Sequence, residues 1–188
     1  KKKPGMMNEQ QLAESEDNIA DTAKALLETM DGMLLWSKGQ MEYFKPTISA
    51  VPVNNLFDHL QRFFAGTQNI EFLFPAKGNL VVHTDEDYLR TIMQNLTANA
   101  IKAVQYTQNA VIEWKTWTEN GSIYFSLADN GPGINEEQLK ALYDETVSSS
   151  GSKYGLGFPI IRDLAKSIGC TIKMQQSGKA GTVFVLSV

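Results

Sequence analysis

The chain has 188 residues and a mass of 20.9 kDa, which at roughly 150 residues per domain allows one domain, or one with an appendage. Apolar residues make up 43% and charged residues 20%, ordinary globular proportions that exclude wholesale disorder and collagen-like repeats. A net charge of -4 and a pI near 5.2 argue against a non-specific nucleic-acid binder, and a single cysteine excludes a disulfide framework or a cysteine-based zinc site while fitting a reducing compartment.

The basic start, Lys1-Lys2-Lys3-Pro4-Gly5, is followed by no apolar core, so it does not read as a secretory signal. No apolar run approaches the roughly 20 residues that cross a bilayer; a membrane anchor is expected, if anywhere, outside this chain. From about Asn8 to Phe44 the pattern predicts one long helix, ended by Pro46. Leu12, Ile19, Leu26 and Met33 recur every seven residues, a coiled-coil-like seam weakened by Ser15, Thr22 and Thr29. At 1.5 Å per residue such a helix is about 55 Å long, more than a compact domain needs. It reads either as one arm of a dimeric helical bundle or as a shorter packed helix.

Past Pro46 the composition changes. Thr47–Val53 is β-rich, and Asn54-Asn55 is a plausible cap for a helix carrying Leu56, Phe57, Leu60, Phe63 and Phe64. Ile70–Phe74 and Leu80–His83 read as short strands separated by Pro75 and Gly78. Thr84-Asp85-Glu86-Asp87 caps an amphipathic helix to about Val104, with Leu89, Ile92, Met93, Leu96 and Ala100 on its apolar face. Ala110–Trp117 and Ser122–Ala128 alternate around Asn120-Gly121, a hairpin signal. A Gly/Pro turn, a short helix near Glu136–Tyr143, a Ser/Gly-rich stretch, a helix over Phe158–Ile168 and a strand pair, Thr171–Gln176 with Thr182–Val188, complete the chain. This order predicts an α/β, two-layer sandwich in which helices cover one face of a mixed sheet, preceded by the long N-terminal helix.

Three local patterns could carry chemistry. Asn95, Asn99 and Lys102 fall at i, i+4 and i+7 of one helix, hence on one face. Amide oxygens are neutral hard ligands suited to a magnesium ion already surrounded by phosphate, and a lysine one turn on is a point charge for phosphate oxygens. The same spacing also suits a solvated helix face. Asp129-Asn130-Gly131-Pro132-Gly133 follows a strand. A carboxylate there can accept from an exocyclic amine such as that of adenine, and glycines let backbone approach a flat ring; as a plain turn the segment is equally well formed. Gly155-Leu156-Gly157 opens a helix with Pro159 in its first turn, a phosphate-cradling geometry or simply a glycine-rich connection. The preceding Thr146–Lys153, small and polar, reads as a mobile loop that closes over a ligand or merely connects.

Taken together and in this order, the patterns resemble the nucleotide-binding domain of sensor histidine kinases, a family of the wider gyrase/Hsp90/histidine-kinase/MutL ATPase superfamily. Asn95–Lys102 looks like its N box, Asp129–Ile134 its G1 box, Gly155-Leu156-Gly157 its G2 box and Gly181-Thr182 a terminal G3-like pair. The 30 positions from Asn99 to Asp129 and the 26 from Asp129 to Gly155 suit the family. The resemblance covers the chain from about Thr47 onward, giving an ATP-binding catalytic domain over 47–188. Leu34-Leu35-Trp36-Ser37 resembles the end of the second helix of the family's dimerisation domain, making 1–46 a partial dimerisation helix.

The resemblance implies ATP and Mg2+ as ligands. By position, Asp129 accepts from the adenine amino group, Asn99 ligates magnesium with Asn95 supporting it, and Lys102 contacts phosphate. Gly131, Gly133, Gly155, Leu156 and Gly157 shape the pocket and lid, Thr182 belongs to the terminal pair, and Lys153 reaches the terminal phosphate when the lid closes. ATPases of the superfamily carry a glutamate base where Asn95 stands; an amide cannot take that proton, which implies transfer to an external histidine rather than hydrolysis. The implied partners are a histidine-bearing dimerisation domain, a response regulator receiver domain and a second copy of the full protein, with no nucleic acid, in the cytoplasm. The chain departs from the family in holding only His59 and His83, neither in an acceptor context, so both read as structural and no phosphoacceptor is expected here. Lys153-Tyr154 before Gly155 is irregular, and Leu142-Tyr143 is the only trace of the lid's aromatic box. The competing readings are a nucleotide-binding or dimerisation module without kinase activity, and an ATPase or serine kinase of the same superfamily. Cys170 reads as a buried small residue, and the tryptophans as packing groups.

Overall fold

The computed structural model describes residue 30 and residues 45–75, 78–134, 136–143 and 157–188. The expected long helix over Asn8–Phe44, the loop Thr146–Lys153 and the residues Lys153, Gly155 and Leu156 lie outside the described residues. In chain order the elements are β1 (Ser49–Pro52), α1 (Val53–Phe63), β2 (Ile70–Leu73), β3 (Val81–Thr84), α2 (Glu86–Val104), β4 (Ala110–Glu119), β5 (Ser122–Asp129), α3 (Glu136–Tyr143), α4 (Gly157–Ser167), β6 (Thr171–Gly178) and β7 (Gly181–Ser187).

Five strands form a mixed sheet in the order β2-β4-β5-β7-β6, with β2 parallel to β4 and every other pair antiparallel. A parallel pair needs a crossover, and the segment carrying β3 and α2 supplies it. Helices lie against one face, as the sequence predicts. On β4, Ala110, Ile112, Trp114 and Thr116 are buried, while Glu113 and Lys115 form an ion pair on the other face. Trp117 stacks on Tyr124 on that outer face, ring centroids 5.3 Å apart. The β4–β5 turn places Asn120 at φ 51 and Gly121 at φ 82, the two positive values of a type I′ turn.

Leu89, Ile92, Met93, Leu96 and Ala100 of α2 are buried, joined in the core by Trp114, Phe125, Leu127, Ile161 and Leu164. The Thr97 hydroxyl accepts from Trp114 Nε1 at 3.0 Å and donates to Met93 O at 2.8 Å. Both partners are fully buried, so this polar link fixes the rotation of α2 over the sheet and turns the Asn95–Asn99 flank toward α4.

One local expectation is corrected, and one strand takes a partner that the sequence left open. Asn54-Asn55 does not cap α1: the helix begins at Val53, with Pro52 before it making no side-chain cap bond. The Val53 N–H is satisfied instead by Leu80 O at 2.9 Å, because β1 runs straight into the helix beside β3. The strand expected at Leu80–His83 pairs with β1 in a separate two-stranded sheet (Ser49 opposite Thr84, Pro52 opposite Val81) and not with the main sheet. Accordingly His83 points outward and is exposed, while His59 is half-buried, with Nε2 2.9 Å from Gln94 Nε2 and burial lowering its pKa. Cys170 is buried as expected, its thiol pushed up to about 12 by desolvation.

Candidate functional site

Helix α2 is a strong helix by its own chemistry. Asp85 accepts from Tyr88 N at 3.0 Å at its start, Glu86 and Asp87 stand in the first turn and Lys102 in the last, all matched to the helix dipole. Asn95 and Asn99 project from its half-buried flank and Lys102 from the exposed side. Opposite them begins α4. A Cβ placed on Gly157 would lie 3.6 Å from both polar atoms of the Asn99 amide and 3.8 Å from Asn95 Oδ1. The first residue of α4 therefore stands at ordinary contact distance from both amides, and the positive dipole end of the helix faces them.

The two amides are differently committed. Asn95 donates to Thr91 O at 2.9 Å, which holds its side chain and leaves its oxygen on the Gly157 side. Asn99 Nδ2 is buried without a hydrogen-bond partner. A native interior rarely leaves such a group unpaired, since it forfeits its hydration for nothing. An unpaired amide beside a helix N-terminus fits a polar, anionic ligand, and the neutral oxygens of Asn95 and Asn99 fit the donor set of a magnesium ion brought with it.

A second cluster lies at the far end of α2. Asp129 ends β5, where Oδ1 accepts from Gly131 N at 2.9 Å and from Thr182 N at 3.3 Å, with the Thr182 hydroxyl also bonded to the carboxylate. Burial raises the Asp129 pKa above the ordinary carboxylate value, and these three donors oppose the rise. The surrounding backbone is very close. A Cβ on Gly131 would meet Asp129 Oδ1 at 3.0 Å and Ala103 O at 3.2 Å, so the loop sits against the last turn of α2. Gly133, at φ +89, faces Gly178 N, which a Cβ would approach to 2.7 Å. At 1.5 Å rise, Ala103 lies about 6 Å along the axis from Asn99 and about 12 Å from Asn95. The Asp129 cluster and the amide pair thus flank α2 at a separation suited to the base and the phosphates of one nucleotide.

The supporting roles of several residues escaped the sequence reading. The Asn130 side chain accepts from Val111 N and donates to Asn109 O, both at 2.9 Å, stitching the loop to the start of β4. The Asn-Gly dipeptide signals a turn but gives no hint of this role. Ser177 Oγ accepts from Ile134 N at 2.8 Å and donates to Ile134 O at 3.2 Å. Tyr143 Oη accepts from Met174 N at 2.7 Å, next to the β6 irregularity at Met174/Gln176. These partners are distant in sequence and carry no local signal.

Among known proteins, the family model for histidine kinase-, DNA gyrase B-, and HSP90-like ATPases matches residues 84–188, more than half of the chain. Sensor histidine kinase ZraS of Escherichia coli is 28% identical over 153 residues, covering 78% of this chain and 32% of ZraS. The C4-dicarboxylate transport sensor protein DctB of Rhizobium meliloti is 25% identical over 176 residues, 94% of this chain and 28% of DctB. The chain thus spans about a third of the length of these curated relatives. The catalytic domain of histidine kinase ThkA has a similar structure, with a TM-score of 0.63 at 23% identity over 76% of this chain and 95% of that one. Acinetobacter baumannii histidine kinase AdeS gives a TM-score of 0.68 at 12% identity over 98% of this chain and 86% of that one. At these identities the structural likeness establishes the fold.

Proposed function

Because the chain belongs to the histidine kinase-, DNA gyrase B-, and HSP90-like ATPase family, we propose that it is the ATP-binding catalytic domain of a two-component sensor histidine kinase. The observation that carries this reading is the buried, unpaired Asn99 amide facing the start of α4, on the same helix whose far end abuts the Asp129 loop. Asp129 accepts from the adenine amino group. Its orientation is held by Gly131 N and Thr182 N, so little ordering remains to be done on binding. Lys102 and the α4 N-terminus draw the phosphates toward the amides. Asn95 and Asn99 would hold a magnesium ion, which would neutralise charge on the phosphates.

Asn95 has no proton-accepting group, so water in this cleft lacks a base and the terminal phosphoryl is kept for another nucleophile. In the transfer, the bond from the γ-phosphorus to the β,γ-bridging oxygen breaks and ADP leaves with that electron pair. A phosphorus–nitrogen bond forms to a histidine imidazole, which gives up its ring proton. His59 is hydrogen-bonded to Gln94 and His83 stands exposed on β3, and neither belongs to the cleft. In keeping with the sensor histidine kinase reading, the proposed acceptor is a histidine on a dimerisation domain, and this chain alone is expected not to autophosphorylate. In the whole protein the chain works as a homodimer in the cytoplasm, residues 1–46 contribute a dimerisation helix, Lys153 closes on the terminal phosphate, and a response regulator aspartate receives the phosphoryl group.

Transfer from γ-labelled ATP to a separately supplied histidine-bearing helical hairpin tests this. Acid-labile, alkali-stable label on the hairpin is expected, lost in Asn99→Ala. Label on serine, or steady phosphate release by this chain alone, would overturn it.

A further inference from the structure

We infer that Asp85 is a positioning residue that couples the segment entering the domain to the nucleotide site. The inference rests on the ATP-binding reading above. One oxygen, Oδ1, accepts from Tyr88 N at 3.0 Å and caps α2. The other, Oδ2, accepts from Thr47 N at 2.7 Å, from the segment that leads into β1. The two donors lie on opposite sides of Asp85 in the chain, Thr47 38 positions before it and Tyr88 three after.

Capping alone does not require this arrangement. Serine, threonine and asparagine cap helices as well as aspartate does, with one oxygen. The second oxygen makes the bridge. The carboxylate is buried, and among the described residues no ion pair neutralises it, so its charge is met by these backbone donors. The β1–β3 pairing, with Ser49 opposite Thr84, brings the entering segment to the same point. Helix α2 is thereby held twice, by Asp85 at its first turn and by the Thr97–Trp114 bond at its middle, and the amides of Asn95 and Asn99 flank that second hold. A nucleotide on those amides favours one seating of α2. Docking of residues 45–48 on Asp85 favours the same seating. By linkage each strengthens the other, which gives upstream movement a route to the ATP site.

The test uses the whole chain and amide exchange resolved at Thr47 and Tyr88. Without nucleotide, Asp85→Ser keeps a capping oxygen, so Tyr88 stays protected while Thr47 exchanges at least about tenfold faster. Unchanged exchange at Thr47 would overturn the bridge. With magnesium and a non-hydrolysable ATP analogue, Thr47 exchange slows in the unsubstituted chain. Asp85→Ser abolishes that response and weakens the analogue about fivefold. Thr47→Pro removes the donor without touching the capping carboxylate and produces the same loss of affinity, which keeps the question decidable if Asp85→Ser folds poorly. Wild-type affinity in both variants would overturn the coupling. An unsubstituted chain that binds no analogue would overturn the ATP-binding reading and the coupling with it, whereas binding without any response at Thr47 would overturn the coupling alone.

Discussion

Asp129→Asn is expected to fold at least as stably as the unsubstituted chain and to bind ATP analogues about 10- to 100-fold more weakly, the loss of one hydrogen bond to a charged group. The argument runs from the bonding of Oδ1. Gly131 N and Thr182 N both donate to it, so an asparagine turns its carbonyl oxygen to those donors. Its NH2 then replaces the second carboxylate oxygen and meets the adenine amino group donor to donor. Stability moves the other way, because burial holds the Asp129 pKa above its ordinary value. A group whose folded pKa is raised contributes stability that is fully present below the unfolded pKa and is lost as pH rises through the folded pKa. At neutral pH the ionised carboxylate is therefore a net burden on the fold, and the neutral amide relieves it. Thermal unfolding at pH 7 should give a Tm for Asp129→Asn equal to the parent or a few degrees higher, and the difference should shrink on acidification through the raised pKa. A large fall in Tm with affinity intact would show that the carboxylate serves the fold and not the ligand.

Gly181→Ala is expected to be the most damaging small substitution in the domain, at about 3 kcal/mol or more. The residue has φ +101, and a Cβ there would run into the Asp129 carbonyl, which is backbone and cannot swing aside. At roughly 2–4 °C per kcal/mol for a chain of this size, the Tm should fall by about 6–12 °C or more. Any folded remainder should bind nucleotide poorly, because the displaced backbone belongs to Asp129. Gly66→Ala is the control: nothing lies within 4 Å of a Cβ there, and its expected effect is within about 0.5 kcal/mol. Equal Tm losses in the two variants would contradict the crowding argument.

These two positions also mark what was legible in the sequence. Helix α2 was readable because its cap, its acidic first turn and its apolar stripe agree, and Asn95, Asn99 and Lys102 came with it. The β4–β5 hairpin was readable because Asn120-Gly121 can take two positive φ values. The start of α1 was not, because the group satisfying the Val53 N–H is Leu80 O, just before β3 and 27 positions away. The separate β1–β3 pair escaped for the same reason: a short apolar run announces a strand but not its partner. Asp129 was legible as a carboxylate at a strand end. The Thr182 and Gly181 backbone that holds and crowds it was not, since only the β5–β7 register brings them together. The brace through Ser177 and the stitch through Asn130 are likewise products of pairing between distant segments.

Calorimetric titration of this chain with a non-hydrolysable ATP analogue, with and without magnesium, tests the central claim most directly. Saturable binding of one nucleotide per chain, strengthened by magnesium and lost in Asp129→Ala, is the result predicted by a cleft with an adenine acceptor at one end of α2 and two amides at the other. Absence of binding in both conditions, or binding indifferent to Asp129, would contradict it.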